Sequence, residues 1–229
     1  MLENKLVHIF YIHQPQKLKE DVFQQLLQQL PPGFQETILS YKHRESAQAS
    51  LLGRILLQYG LNQLELGVTL DAVQFTSKER PFLNEKIDFN ISHSGEYVIV
   101  AIAENLRVGI DVEKHRILDV ALFNRYFDVD EWSFMESAAD PVQTFFDLWA
   151  IKESAIKCDG RGVEVLSDTH VQLNKQEHPA ITMQVKCAGY LFPYRKILLD
   201  EKYSCSICSS HPFTINLTEI GIGKLLKPH

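Results

Sequence analysis

Residues 90–116, NISHSGEYVIVAIAENLRVGIDVEKHR, hold a polar turn, Ser92-His93-Ser94-Gly95, followed by an apolar strand over 97–103. A turn at Glu104-Asn105 leads into a second strand that ends on Asp111-Val112-Glu113. Side chains alternate along a strand, so Asp111 and Glu113 share one face while Ile110 and Val112 take the other. Two neighbouring carboxylates at the end of an apolar strand repel each other. A shared proton, a basic neighbour or a divalent cation relieves that repulsion.

Around this stretch the chain has the composition of an ordinary globular protein, with 229 residues, 45% hydrophobic and 23% charged. That length suits one large domain or two of ~100 residues each. With 23 basic and 29 acidic residues the formal charge is −6, which argues against nucleic acid as a partner and leaves room for a local basic patch. No apolar run approaches the ~20 residues needed to span a bilayer. Residues 1–13 read as a strand and not as a signal peptide. Cys158, Cys187, Cys205 and Cys208 form no disulfide framework, which fits a reducing, cytoplasmic setting. Cys205 and Cys208 have the spacing of a redox or zinc half-site, but no second pair completes a zinc site, and on a strand they face opposite sides. The sequons at Asn90 and Asn216 are then chance matches.

The chain before the opening stretch reads as a strand over 5–13 and helices over 17–30, 34–41 and 45–59, the last closing at Gly60. A strand over 72–76 and a turn at 78–81 follow. After Arg116 come helices over 118–127 and to about residue 138, the latter capped by Asp128 or Asp130. A longer helix starts at Asp140-Pro141, runs through Lys157 and ends at Gly160-Arg161-Gly162. Strands are expected over 169–174, 180–187, 190–199, 201–208 and 213–217. Helices precede strands in each half, with the break near Leu106.

Residues 143–157, QTFFDLWAIKESAIK, place Trp149, Glu153 and Lys157 four apart, on one stripe of that helix, with Phe145 one turn back. Taken alone, Glu153 and Lys157 are an ordinary solvated pair worth ~0.3–0.5 kcal/mol. An aromatic stripe running into that pair should instead face a core or a cleft. Combined with Asp111 and Glu113, Glu153 makes a third carboxylate, a hard oxygen set suited to Mg²⁺ or Mn²⁺ and unsuited to zinc. Such an ion normally shares its shell with substrate phosphates, towards which His93 and Lys157 would contribute. The residues alone leave two readings open, a magnesium-dependent phosphate enzyme and a structural acidic cluster.

Phe89-Asn90-Ile91-Ser92-His93-Ser94, Gly109-Ile110-Asp111-Val112-Glu113 and Trp149-Ala150-Ile151-Lys152-Glu153-Ser154-Ala155-Ile156-Lys157 together resemble the signatures of the surfactin-type 4′-phosphopantetheinyl transferases. Their order and spacing match, as does Gly160-x-Gly162. The resemblance extends more thinly to Ser50-Leu51-Leu52-Gly53-Arg54 and Arg80-Pro81, so it covers most of residues 40–165. It implies an enzyme that moves the 4′-phosphopantetheine arm of coenzyme A onto a serine of an apo acyl, peptidyl or aryl carrier protein and releases 3′,5′-ADP. By resemblance, Asp111, Glu113 and Glu153 bind Mg²⁺ with the coenzyme A pyrophosphate, and Glu153 or a metal-bound water is the base. Lys157 would stabilise the leaving phosphate, His93 would bind a phosphate of coenzyme A, and Ser92 would add a hydrogen bond. Trp149 is expected to pack the helix.

The nucleotide end departs from the family pattern. Lysines upstream of Ser50, and an arginine just before it, often hold the 3′-phosphate in this family. Those stations are Phe34, Thr37 and Ala49 here. Lys42 and Arg44 are the expected substitutes, with Ser50 beside them and Arg80 facing a phosphate, although Glu79 stands where the family has glycine.

The resemblance implies an α/β (α+β) fold of two similar subdomains related by pseudo-twofold symmetry. The expected division is 1–106, 107–217 and a tail over 218–229, with the site in the cleft between the halves and a monomeric assembly. Two rivals remain at this point. One is a metal-dependent pyrophosphate or phosphodiester hydrolase using the same carboxylates. The other is a non-catalytic module that binds coenzyme A or a carrier protein. The carrier is expected to dock near residues 126–137 and the Gly160 turn.

Overall fold

The computed structural model describes residues 5–173 and 183–226. The chain opens with strand β1 (Lys5–His13), followed by helices α1 (Glu20–Leu27), α2 (Pro32–Leu39) and α3 (Arg44–Gln63). A short hairpin, β2 (Gln74–Phe75) and β3 (Pro81–Phe82), leads to β4 (Ile87–Ser94), β5 (Tyr97–Glu104) and β6 (Val108–Lys114). After a 3-10 turn at Val120–Tyr126 come α4 (Val129–Glu136) and α5 (Pro141–Asp159). Then follow β7 (Thr169–Val171), β8 (Met183–Cys187), β9 (Tyr190–Lys196), β10 (Tyr203–Ser209), β11 (Phe213–Glu219) and α6 (Ile222–Leu225). The expected strand positions at 174 and 180–182, and the tail at 227–229, lie outside the described residues. Among the described residues no helix is long and apolar enough to cross a membrane.

Two sheets stack with helices on their outer faces. One has the order β11-β1-β5-β4 and the other β6-β10-β9-β8-β7. The alternation of β5 shows why they stack. Val98, Val100 and Ile102 pack with Phe23, Leu51 and Leu56 beneath α1 and α3. Tyr97, Ile99, Ala101 and Ala103 face the second sheet and meet Ile110, Val112 and Ile207. On the far side of the second sheet, Leu148, Ile151 and Ala155 of α5 bury Val185, Cys187 and Cys208. Cys205 and Cys208 thus enter different cores, as their spacing predicts. All four thiols are free and buried.

Two expectations need correction. The strand at 213–217 belongs with the first half, because β11 pairs in parallel with β1 from Lys5↔Phe213 to Tyr11↔Glu219. Residues 218–226 continue that return: Ile220 and Leu225 enter the core beneath α3, and Leu225 and Leu226 accept hydrogen bonds from Gln29 and Gln25. The third helix also runs through Gly60 to Gln63. A side chain at Gly60 would meet Ile102 Cδ1 at 2.6 Å and the Phe10 ring at 2.9 Å, so the glycine serves close packing and not termination.

The halves meet where β4, an edge of the first sheet, runs beside β6, an edge of the second. The β6 amides are satisfied by β4 side chains. Asp88 Oδ2, Asn90 Oδ1, Ser92 Oγ and Ser94 Oγ accept from the amides of Val108, Ile110, Val112 and Lys114 at 2.9, 2.9, 3.3 and 3.0 Å. This period-two row of short acceptors explains the alternation in Asp88-Phe-Asn-Ile-Ser-His-Ser94, since a buried edge must find partners for its N–H groups. It also buries Asn90 and so removes its sequon from reach.

Candidate active site

Asp111 and Glu113 on β6 face Glu153 and Lys157 on α5 across one cavity of about 460 Å³. Ser92 and His93 of β4, Arg116, Phe123, and Phe145, Phe146 and Trp149 of α5 complete its lining. The expected stripe on α5 therefore faces a cleft. α5 is capped by Asp140, whose side chain accepts from the Gln143 amide, and ends at Gly160 with a left-handed φ of 85°.

Gly109 lets α5 lie this close to β6. A methyl there would overlap the Ser154 carbonyl oxygen and the Cys158 amide nitrogen, both backbone atoms of α5. Gly109→Ala should push the helix off the strand, costing ~1–3 kcal/mol as overpacking does. It should also lower turnover, because Glu153 and Lys157 move away from Asp111 and Glu113. Melting curves read beside an activity assay would check this, and an unchanged Tm would refute it.

Lys157 Nζ lies 2.6 Å from Asp111 Oδ1 and donates to Ser92 Oγ at 3.1 Å and the Ile110 carbonyl at 3.2 Å. The Ser92 hydroxyl donates to Asp111 Oδ1 at 3.0 Å. Having accepted from Lys157 and the Val112 amide, it is fully used in holding Asp111. Asp111 Oδ2 is buried with no hydrogen-bond partner. Burial, then the charge of Asp111, push the carboxyls of Glu113 and Glu153 above the usual range. Partial burial and then the Lys157 ammonium hold His93 below the usual imidazole value. A buried orphan oxygen beside two carboxylates strained towards protonation fits a divalent, oxygen-ligated cation. Loosely paired Arg116, 3.4 Å from Glu113, does not discharge that excess.

Another grouping with ligand chemistry, Asp128, Glu131 and His170, is a helix cap. Glu131 accepts from the amides of Asp128 and Val171 and pairs with the Lys152 ammonium at 2.8 Å. Its acceptors are committed and its charge is already balanced.

A second cavity of about 270 Å³ adjoins the first, sharing Ile91 and His93. Phe34, Tyr41, Phe75 and Pro81 give it apolar walls, and Ser50, Arg54 and Asn90 add polar groups. Of the expected nucleotide residues only Ser50 lines it. Arg44 turns to α1, where it pairs with Glu20 at 2.7 Å and stacks over Phe23 at 3.4 Å. Lys42 is exposed and does not line the cavity. Arg80 is buried and spends all its donors inside the protein. It forms a bidentate pair with Asp88 at 2.8 and 2.6 Å and bonds to the carbonyls of Lys157, Val108 and Pro81. Arg80 is a clamp between the halves, and no N–H remains for a phosphate.

The residue that sequence reasoning missed is Arg54. It donates to the Ser50 carbonyl at 3.0 Å and to the Ser50 hydroxyl. Its Nε is buried without a partner, and among the described residues no carboxylate pairs with it. The guanidinium lies 5.1 Å from the centre of the Phe34 ring. Its signal in the sequence is its place at the end of Ser50-Leu51-Leu52-Gly53-Arg54, where it puts a cation inside an otherwise apolar helix turn.

The superfamily profile for 4′-phosphopantetheinyl transferases matches residues 107–208, and the profile for their N-terminal part matches residues 15–105. The chain is 31% identical over 217 residues to the 4′-phosphopantetheinyl transferase gsp of Aneurinibacillus migulanus, covering 93% of this chain and 90% of that protein. It is 27% identical to the 4′-phosphopantetheinyl transferase Sfp of Bacillus subtilis (strain 168), covering 95% and 99%. It is also similar to the L-aminoadipate-semialdehyde dehydrogenase-phosphopantetheinyl transferase of Xenopus laevis, at 26% over 75% of this chain and 60% of that protein. Carboxylates on β6 facing α5, a cation-lined neighbouring cavity and similarity along nearly the whole chain agree: this protein belongs to the 4′-phosphopantetheinyl transferase family.

Proposed function

We propose that the protein transfers the 4′-phosphopantetheine arm of coenzyme A to a serine hydroxyl of an apo acyl, peptidyl or aryl carrier protein and releases 3′,5′-ADP. The observation that carries this reading is the pair of adjoining cavities, which share Ile91 and His93. One is lined by three carboxylates and Lys157, the other by apolar rings and the uncompensated Arg54. A substrate with a pyrophosphate at one point and a phosphorylated nucleoside at another matches that layout. The nucleotide lies in the smaller cavity, with an anionic phosphate on Arg54 and not on Arg80, Lys42 or Arg44.

Asp111, Glu113 and Glu153 would hold Mg²⁺ or Mn²⁺, which when bound supplies charge neutralisation to the pyrophosphate. Glu153, whose affinity for protons is raised by burial and by Asp111, takes the proton of the carrier serine. The serine oxygen forms a bond to the phosphorus on the pantetheine side. The bond to the bridging oxygen breaks, and its electron pair leaves with 3′,5′-ADP. Lys157, fixed by Asp111, Ser92 and the Ile110 carbonyl, sets its positive charge beside the leaving phosphate and would donate to it on letting go of one of those three acceptors. His93, kept neutral and standing where the two cavities meet, donates a ring N–H to a phosphate oxygen. Every group is supplied by one chain, which supports a monomer, and four free, buried thiols fit the cytoplasm.

Incubation with coenzyme A, Mg²⁺ and apo carrier proteins, followed by intact mass measurement, tests the reading. The carrier should gain one phosphopantetheine. Release of 3′,5′-ADP with an unmodified carrier would replace this reading with hydrolysis. Within the same assay Arg54→Ala should raise the KM for coenzyme A about tenfold or more, the scale of a lost charge-assisted hydrogen bond (~1.5–3 kcal/mol). The KM for the carrier should stay unchanged. An unaltered coenzyme A KM would remove Arg54 from the nucleotide site.

A further inference from the structure

Lys157 lies in the last turn of α5, where backbone carbonyls run out of helix amides to bond. The Ile156 carbonyl is taken by the Gly160 amide at 2.8 Å. The Arg161 amide would take the Lys157 carbonyl if the helix continued, but it turns to Asp159 Oδ1 at 3.2 Å. The Lys157 carbonyl accepts instead from Arg80 Nε at 2.9 Å, a donor from the first half of the chain. A cation is also the charge that a helix C-terminus favours. The other end of Lys157 is held by Asp111, Ser92 and the Ile110 carbonyl. Lys157 is therefore fixed twice, its ammonium by the site and its backbone by Arg80.

Arg80 is itself held from every side. Its amide donates to Thr76 Oγ1 at 3.1 Å and its carbonyl accepts from the Thr76 amide at 2.9 Å, which locks its backbone into the β2–β3 hairpin. The buried guanidinium pairs with Asp88 of β4 and donates to the Val108 carbonyl of β6 at 3.0 Å. Gly160 lies over its stem, since a Cβ there would come within 2.8 Å of Arg80 Cδ. One planar group thus joins β4, β6 and α5, the elements that carry His93, Asp111 and Glu113, and Glu153 and Lys157. A rigid fork of N–H donors can serve all these acceptors at once, and a lysine ammonium cannot.

We infer that Arg80 is a positioning residue for transfer. It holds the last turn of α5, and with it Lys157, against Asp111, and it makes no contact with coenzyme A. The inference rests on the transferase reading above. A reacting group displaced by ~1 Å can cost ~10²-fold in rate, so loss of the fork belongs in kcat and not in the KM for coenzyme A.

Two variants test this. Arg80→Lys keeps a cation that could still meet a phosphate but loses the fork. Arg80→Met/Asp88→Asn removes both charges, leaves no carboxylate buried alone and keeps an acceptor for the Val108 amide. Each is assayed with coenzyme A, Mg²⁺ and an apo acyl carrier protein or apo peptidyl carrier domain, well below its melting temperature and per folded molecule. In both, kcat should fall about tenfold or more while the KM for coenzyme A stays within about twofold. Hydrogen exchange of the ligand-free proteins supplies a readout without turnover. The amides of residues 158–160 should exchange about tenfold faster in both variants, with those of 145–150 unchanged. A coenzyme A KM that rises about tenfold makes Arg80 a phosphate contact and overturns the inference. A kcat within about twofold of wild type in either variant, even with a lower Tm, reduces Arg80 to a structural clamp and overturns it too, as do unchanged exchange rates at 158–160. A wild type that modifies neither carrier overturns the transferase reading instead, and the exchange rates then decide by themselves whether Arg80 holds the end of α5.

Discussion

Asp111→Asn is expected to lower transfer by at least ~10²-fold, the scale of losing one group that stabilises charge in the transition state. The reason lies in how its carboxylate is divided. Oδ1 is used by Lys157 at 2.6 Å and Ser92 at 3.0 Å, while Oδ2 is buried and unpartnered. Asparagine keeps the shape and the contact with Ser92 but gives up the charge that fixes Lys157. Backbone pairing of β6 with β10 and the row of β4 acceptors are untouched, so the fold should survive. The change also has a sign in pH. Burial and the charge of Asp111 raise Glu113 and Glu153 above the usual carboxylate value. The ligand-free native state therefore binds those protons more tightly than the unfolded chain. Its stability falls as pH rises from the usual carboxylate value through the raised ones. Asp111→Asn removes one cause of the shift, so that fall should be smaller. Carrier mass gain and melting temperatures across pH check both claims. Transfer within about threefold of wild type would take Asp111 out of the site, since a single charge-stabilising group is worth far more.

Period and spacing made much of this site readable from residues alone. The i, i+2 rule paired Asp111 with Glu113, and the i, i+4 rule aligned Trp149, Glu153 and Lys157. The structure brings both sets to one cavity. Caps were equally legible, because Asp128, Asp140 and Gly160 act within a few residues of their targets. What sequence could not supply was the partner of each cation. Arg80 and Arg54 are both arginines near an apolar turn. One is saturated because Asp88 and three carbonyls converge on it, the other is left open because no carboxylate does. That distinction depends on elements far apart in the chain. The return of β11 to the first sheet is hidden for the same reason. A strand of mixed polarity carries no mark of which edge it joins. The stretch Ser92-His93-Ser94 reads as a turn from sequence, whereas β4 continues through Ser94, and the purpose of its alternating Asp88, Asn90, Ser92 and Ser94 is clear only with β6 lying beside it.

Lys152→Met is expected to be the most destabilising single change. Lys152 and Glu131 are each 0% exposed and lie 2.8 Å apart. Lys152 also donates to the Thr169 carbonyl and sits 5.1 Å from the Phe127 ring centre. Glu131 accepts from the Val171 amide at 2.7 Å and the Asp128 amide at 2.9 Å. One ion pair thus ties α5 to α4 and to β7, at the residue next to Glu153. Methionine fills the stem of Lys152 and leaves the Glu131 charge buried with two amides but no cation. Breaking a buried pair in this way costs ~3–5 kcal/mol. In a chain of this size that corresponds to a drop in Tm of roughly 6–20 °C. Removing the stranded charge as well should restore much of the loss. In Lys152→Met/Glu131→Gln the amide oxygen still accepts from one of the two backbone N–H groups. If the double variant melts no higher than the single one, the loss reflects packing around Lys152 and not an uncompensated carboxylate. If the single variant melts within about 2 °C of wild type, less than 1 kcal/mol is at stake and the pair does not hold α5 in place.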